Sequence, residues 1–202
     1  MHTAYRVFDI EIAKTIEQTE GGWTGAREGK SGHSCTAVYD SEEDSTRLFG
    51  PNQVEALADY LEGPHVIVSF NGIGFDQPAI EGMLGRKLQI REHCDLLQIL
   101  RQTTGSWKGL KLDDLAHATL GRRKSDHGAH APVIYQEALA LMAAGQYEEA
   151  LARFVNLLNY CSLDVILTRD LLRFLQKNGF VVGPNGPVHP TLPPYFGTLG
   201  GS

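Results

Sequence analysis

HVIVSFNG, residues 65–72, is apolar and β-branched almost without a break. A strand that is wet on one face alternates apolar and polar side chains, whereas one covered on both faces does not. This stretch therefore reads as a central strand with helices on either side, and the domain as α/β. The chain then leaves the strand through FNGIGFDQP, residues 70–78, with Gly72 and Gly74 making a tight exit. Asn71 falls at the strand's carboxyl end, where ligands bind in open α/β sheets. Asp76 stands at the start of the following helix. Asp is a favoured N-cap and Pro78 suits a first turn, so Asp76 has an ordinary structural reading.

On the N-terminal side, AYRVFDIEI (4–12) reads as another strand. Val7, Asp9 and Glu11 leave one face; Phe8, Ile10 and Ile12 leave the other. Asp9 and Glu11 are i and i+2, so their side chains project together, about 7 Å apart along the strand. A solvent-facing surface explains most such pairs. On a covered face, paired acids need a metal. HSCTAVYD (33–40) and TRLFG (46–50) read as two further strands joined by the acidic turn SEED. The polar, Gly-rich segment 13–31 reads as a long loop.

Helical patterns follow over 51–62, 77–85, 95–103, 111–120, 133–144 and 147–178. In the last of these, LLNYCSLDVILTRDL (157–171), residues Leu157, Tyr160, Asp164, Leu167 and Leu171 form one stripe at helical spacing. Its middle member is an aspartate. Either the helix turns Asp164 to water, or the interior holds a partner for the charge, because an unpaired buried carboxylate costs several kcal/mol. Tyr160 and Asp164 are i and i+4 and share a helical face.

Each of these features has a bland explanation taken singly. Together and in this order, FDIE (8–11), NGIGFD (71–76) and YCSLD (160–164) resemble the three motifs of the DEDD exonucleases. Those are 3′→5′ exonucleases with a ribonuclease-H-like fold, and the tyrosine points to the DEDDy branch. The resemblance spans residues 4–175 and is nearest to exonuclease-like domains found beside helicases. It implies a ribonuclease-H-like α/β domain with a mixed central sheet of about five strands flanked by helices. It also implies that Asp9, Glu11, Asp76 and Asp164 hold two divalent ions, Mg²⁺ or Mn²⁺, hard cations suited to oxygen ligands. Ions roughly 3.5–4 Å apart clamp the scissile phosphate in such sites. By the same resemblance, Asp9 bridges both ions, Glu11 and Asp164 complete the nucleophile-side ion, Asp76 serves the other, and Tyr160 orients the attacking water. Asn71 and Phe75 help to place the terminal nucleotide.

Size and charge are compatible with that expectation. The chain of 202 residues suits one substantial domain, taken here as 1–182, followed by a tail over 183–202 that carries five of the nine prolines and reads as having little regular structure. A net charge of −6 excludes a protein that coats nucleic acid through bulk positive charge. It does not exclude an enzyme whose carboxylates recruit cations, since bound cations invert the local sign. Three widely spaced cysteines, Cys35, Cys94 and Cys161, make neither a disulfide framework nor a metal pair, so a reducing, cytoplasmic setting is expected. No secretion signal or membrane span is expected either.

Weaker signals remain. Asp95 matches an aspartate common in related exonucleases, yet as a helix N-cap it needs no further role. Arg122, Arg123 and Lys124 offer phosphate contacts, or simply the favourable charge of a helix C-terminus. His127 and His130 lack a third nearby ligand, so zinc is not expected. Trp107 is a base-stacking candidate or ordinary packing, and Phe70, Leu157 and Leu167 read as core. Three functions are in view: an exonuclease acting on single-stranded DNA or RNA ends, a ribonuclease-H-like endonuclease, and an inert nucleic-acid-binding or docking module. A helicase or other replication or repair protein is the expected partner class.

Overall fold

The computed structural model describes residues 3–123 and 131–196. Five strands make one mixed sheet: β1 (Tyr5–Ile12), β2 (His33–Asp40), β3 (Ser45–Phe49), β4 (Val66–Ser69) and β5 (His93–Asp95). They lie in the order β3-β2-β1-β4-β5. The first three form an antiparallel meander, and β4 and β5 run parallel to β1. The expected α/β architecture and strand number both hold.

All four residues of β4 are buried, which is what its unbroken apolar sequence requires. Ile67 faces a cluster with Phe8, Ile10 and Val38, closed by α2 (Val54–Leu61) and α3 (Asp76–Leu84). Val66 and Val68 face the larger cluster on the opposite side. There α4 (Leu96–Thr104), α5 (Leu112–Leu120), α6 (Ala131–Ala143) and α7 (Tyr147–Asn178) cover the sheet. Val7 lies under this second layer at 0% exposure, so the strand face that carries Asp9 and Glu11 is a covered one.

The 32-residue α7 is long and apolar enough, by length and composition, to cross a membrane. Here Leu157, Val165, Leu167, Leu171, Leu172 and Leu175 turn that apolarity onto the sheet and its neighbouring helices. Burial on this scale is what makes a long core helix look hydrophobic.

Three features depart from the sequence reading. The segment 13–31 contains a short helix, α1 (Gly22–Arg27), where a loop was expected. Its exit packs so closely on α3 that a Cβ at Gly82 would lie 2.2 Å from the carbonyl carbon of Glu28. The three-residue β5 was not anticipated; so short a strand carries no periodicity to read. The Pro-rich tail is also more ordered than expected over its described residues, which end at Phe196. A hairpin of β6 (Val181–Gly183) and β7 (Gly186–Val188) precedes a 3-10 turn at Pro194–Phe196. Pro187 is tolerated because a two-stranded ribbon is all edge. Phe196 is 7% exposed and meets Tyr5 of β1 edge-on at 5.9 Å.

Candidate active site

β1 and β4 pair only through Tyr5–Val66, Arg6–Ile67 and Val7–Val68. Beyond Val7 they part, while β1 continues along β2 as far as Ile12. Asp9 and Glu11 sit on the length so released, at the carboxyl end of the sheet, where parallel strands leave a crevice. The register shifts between Glu11 and Ile12, where β2 carries the extra residue Ser34, and Ser34 Oγ donates to the Glu11 carbonyl at 2.9 Å. The Ile10 amide, no longer met by β4, donates to Asp76 Oδ1 at 3.0 Å. One hydrogen bond thus fixes the third acid against the strand that bears the first two.

The turn between β4 and α3 is built to deliver Asp76. Asn71 adopts a left-handed backbone, φ 73°, which Asn tolerates better than most residues. At Gly72 a Cβ would lie 2.5 Å from Ser69 Oγ, so no side chain fits. Asp95 clamps this turn from β5: its carboxylate accepts from the amides of Asn71 (2.9 Å) and Ile73 (3.0 Å). The same carboxylate caps α4 through Leu97 (3.0 Å) and Gln98 (3.3 Å). The capping role read from sequence holds, and positioning of the turn is added to it. Asp76, by contrast, does not cap α3. The N-cap is Phe75, and Asp76 is the first helical residue, with its carboxylate turned to β1.

Asp164 comes from the middle of α7 and is 6% exposed, so the interior reading of its helical stripe is the correct one. Tyr160, one turn earlier, is partly buried against the same core. Between them Cys161 points its thiol at the Asp9 carbonyl, 3.4 Å away. Its Sγ and carboxylate oxygens of Asp9 and Glu11 all lie within 4.8 Å of one another. A hydrogen bond with Cys35 and burial hold the Cys161 thiol well above its usual range, which keeps it protonated. Burial pushes the Asp76 carboxyl up to about 7, against the opposing Ile10 amide, and the charges of Asp95 and Asp164 add to the rise. Burial raises Asp95 as well, against its four amide donors.

All five expected catalytic residues, Asp9, Glu11, Asp76, Tyr160 and Asp164, line one cleft of about 480 Å³. Asn71 and Phe75 line it too. A carboxyl raised by burial and by the charges of neighbouring acids calls for cations, and all-oxygen donors select hard ones. The residues present therefore fit divalent metal. Asp40, Glu42 and His65 are the other described group with metal-ligand spacing. There Asp40 already accepts from Arg6 Nε (2.7 Å) and Tyr60 OH (2.8 Å), so a resident cation fills that role.

The basic triplet lies elsewhere. Arg122 pairs with Asp170 of α7, and neither it nor the exposed Arg123 lines the cleft. Lys124, His127 and His130 lie outside the described residues. Leu157 and Leu167 are fully buried; Phe70 packs on the core and also lines the cleft. Trp107 is 55% exposed under the Arg101 guanidinium, 3.6 Å from its ring, and does not line the cleft. A further aromatic that does line it is Trp23, unremarked in the sequence because its segment looked like loop. Its only signal was a large indole set among glycines in GGWTG.

Residues 8–176 match the family model RNase_H_2, described as RNase_H superfamily. No curated protein matches the chain. Among solved structures, the family B DNA polymerase from the hyperthermophilic archaeon Pyrobaculum calidifontis is similar, with a TM-score of 0.60 and 20% identity. The likeness covers 87% of this chain and 25% of the polymerase chain, so the chain spans about a quarter of that protein's length. At this identity the likeness is one of fold.

Proposed function

Because the chain belongs to the ribonuclease H superfamily, we propose that it is a metal-dependent nuclease of the DEDDy type, removing nucleotides from 3′ ends of DNA or RNA. The observation that carries this reading is the meeting of Asp9, Glu11, Asp76 and Asp164, from a strand and two helices, with Tyr160 beside them in one cleft. A docking module has no use for acids so gathered, since their mutual repulsion opposes folding.

Asp9, Glu11, Asp76 and Asp164 would hold two divalent ions, Mg²⁺ or Mn²⁺. When bound, these supply Lewis acidity toward the phosphodiester and its attacking water, and stabilise the leaving oxygen. The protein's own part is positional. The Ile10 amide holds Asp76 in place, the Asp95 clamp fixes the turn that bears Asn71 and Phe75, and the α7 backbone spaces Tyr160 one turn from Asp164. The Tyr160 hydroxyl would orient water for attack. Asn71 and Phe75 would seat the terminal nucleotide. The 3′→5′ direction rests on the likeness of FDIE, NGIGFD and YCSLD to the exonuclease motifs.

A strand-separating enzyme such as a helicase would supply the single-stranded ends that this reading requires. Three free, buried cysteines suit a reducing, cytoplasmic setting.

Incubation of 5′-labelled DNA and RNA oligonucleotides with Mn²⁺ tests the reading. A ladder shortening from the 3′ end is expected, with circular single strands left intact. Asp9→Ala and Asp164→Ala should each lower the rate by more than about a hundredfold without loss of fold by circular dichroism. Wild-type-like digestion by either variant would refute the proposal. Cleavage of circles would move it to an endonuclease.

A further inference from the structure

Trp23 is 59% exposed at the mouth of the acid cleft. A large indole left in water is an expensive choice unless something covers it, because burial of so large an apolar surface is strongly favourable. It is also held in place. Arg27 of α1 donates from Nε to the Gly74 carbonyl at 2.8 Å, tying this helix to the turn between β4 and α3. The exit of α1 is wedged against α3, where Gly82 leaves no room for a side chain. The indole meets Phe75 edge-to-face, with centroids 5.8 Å apart and planes at 77°. Two aromatic rings from separate parts of the chain thus stand together beside the four carboxylates.

We infer that Trp23, propped by Phe75, is the stacking platform for the base of the terminal nucleotide, and that it sets a requirement for an unpaired end carrying a base of any identity. The inference rests on the nuclease reading for its substrate class and adds to it the residue that selects the end. Stacking suits this place for two reasons. Every base has a π-face, so an indole grips all of them without reading sequence. A base still paired in a duplex is stacked on its neighbour and cannot offer that face to a protein without first leaving it. The other tryptophan fits less well: one face of Trp107 is taken by Arg101, and it does not line the cleft.

The role is one of binding, so its signature lies in KM. Trp23→Ala should raise KM for oligonucleotides ending in a normal nucleotide by roughly tenfold, with kcat little changed. Trp23→Phe should recover most of the loss. Wild type should show a similar rise in KM on an oligonucleotide whose 3′-terminal residue is abasic, and Trp23→Ala should show no additional rise on it. A structural role for Trp23 would not produce that selective insensitivity. If Trp23→Ala weakens normal and abasic ends by equal factors, or leaves both unchanged, the inference is overturned.

A second readout needs no turnover. In a Trp107→Phe background Trp23 is the sole tryptophan, since the chain has two. Its fluorescence should be quenched by nucleoside 5′-monophosphates and unaffected by ribose 5-phosphate at equal concentration. Quenching without any cleavage of oligonucleotides would remove the nuclease reading and keep the platform. Cleavage without quenching would do the reverse.

Discussion

Asp164 and Asp76 occupy places where a helix and a strand-to-helix turn have ordinary uses for other side chains, and in both cases the neighbours explain the choice. Asp164 is flanked along its stripe by Leu157 and Leu167, each buried to within 1%, yet its own carboxylate opens to the cleft. Asp76 gives up the N-cap position and bonds the Ile10 amide instead. The cost is visible in its titration. Burial lifts its carboxyl to about 7 from an ordinary 3.8. A group raised in the fold stays protonated while the unfolded chain ionises, so stability is lost as pH climbs from about 4 to about 7, and the loss is complete above that. Asp76→Asn removes this penalty. In EDTA at pH 7.5 its thermal midpoint should exceed wild type, by about 2–4 °C for each kcal/mol relieved, while at pH 4 the two should nearly coincide. An equal midpoint at both pH values would show that Asp76 carries no such burden.

Among the elements, α1 links local packing to the proposed substrate grip. It is only six residues long, too short to hold its helical form unaided. Arg27 and the close approach at Gly82 supply what propensity does not. Gly82→Ala would drive a methyl group into the Glu28 backbone and push the helix outward. Overpacking of this kind costs about 1–3 kcal/mol. Asp76 opens α3, at the end far from Gly82, and is held there by the Ile10 amide, while Asp9, Glu11 and Asp164 lie on other elements. The displacement should therefore fall on Trp23: KM should rise and kcat should hold. A fall in kcat with KM unchanged would mean that α1 also shapes the acidic end of the cleft. The other elements were largely legible. Long helices announce themselves by period, and α7 was read nearly to its ends; α1, β5 and the β6–β7 hairpin are shorter than the window in which a period can be seen.

At the scale of the molecule, the two ends of the sheet are held by different chemistry. The cleft end concentrates acids that resist burial. The opposite end of β1 and β2 joins Arg6, Asp40 and Tyr60 in a satisfied network, with the Arg6 guanidinium 3.6 Å from the centre of the Tyr60 ring. Burial raises the Asp40 carboxyl, but hydrogen bonds from Arg6 and Tyr60 outweigh it and hold the group at about 2. A depressed carboxyl contributes stability above its unfolded value, and that contribution fades as pH falls toward the folded one. Wild type should therefore lose stability between about pH 4 and pH 2. Asp40→Asn should be weaker at neutral pH and show a shallower acid limb in urea titrations. An acid limb as steep as wild type in that variant would place the acid-sensitive group elsewhere.

Before any folding, the sequence determined that this is an α/β domain, that its last long helix sets an aspartate within an apolar stripe, and that four acids and a tyrosine stand in a set order. Those are local properties: alternation over two residues, repetition over three or four, a proline or glycine at a turn. Only the tertiary structure decided that β1 and β4 part beyond Val7, that Asp76 turns to β1 rather than capping its own helix, and that Trp23 stands at the cleft while Arg122 is spent on Asp170. Such facts depend on which distant segments touch, and chain periodicity carries no record of that.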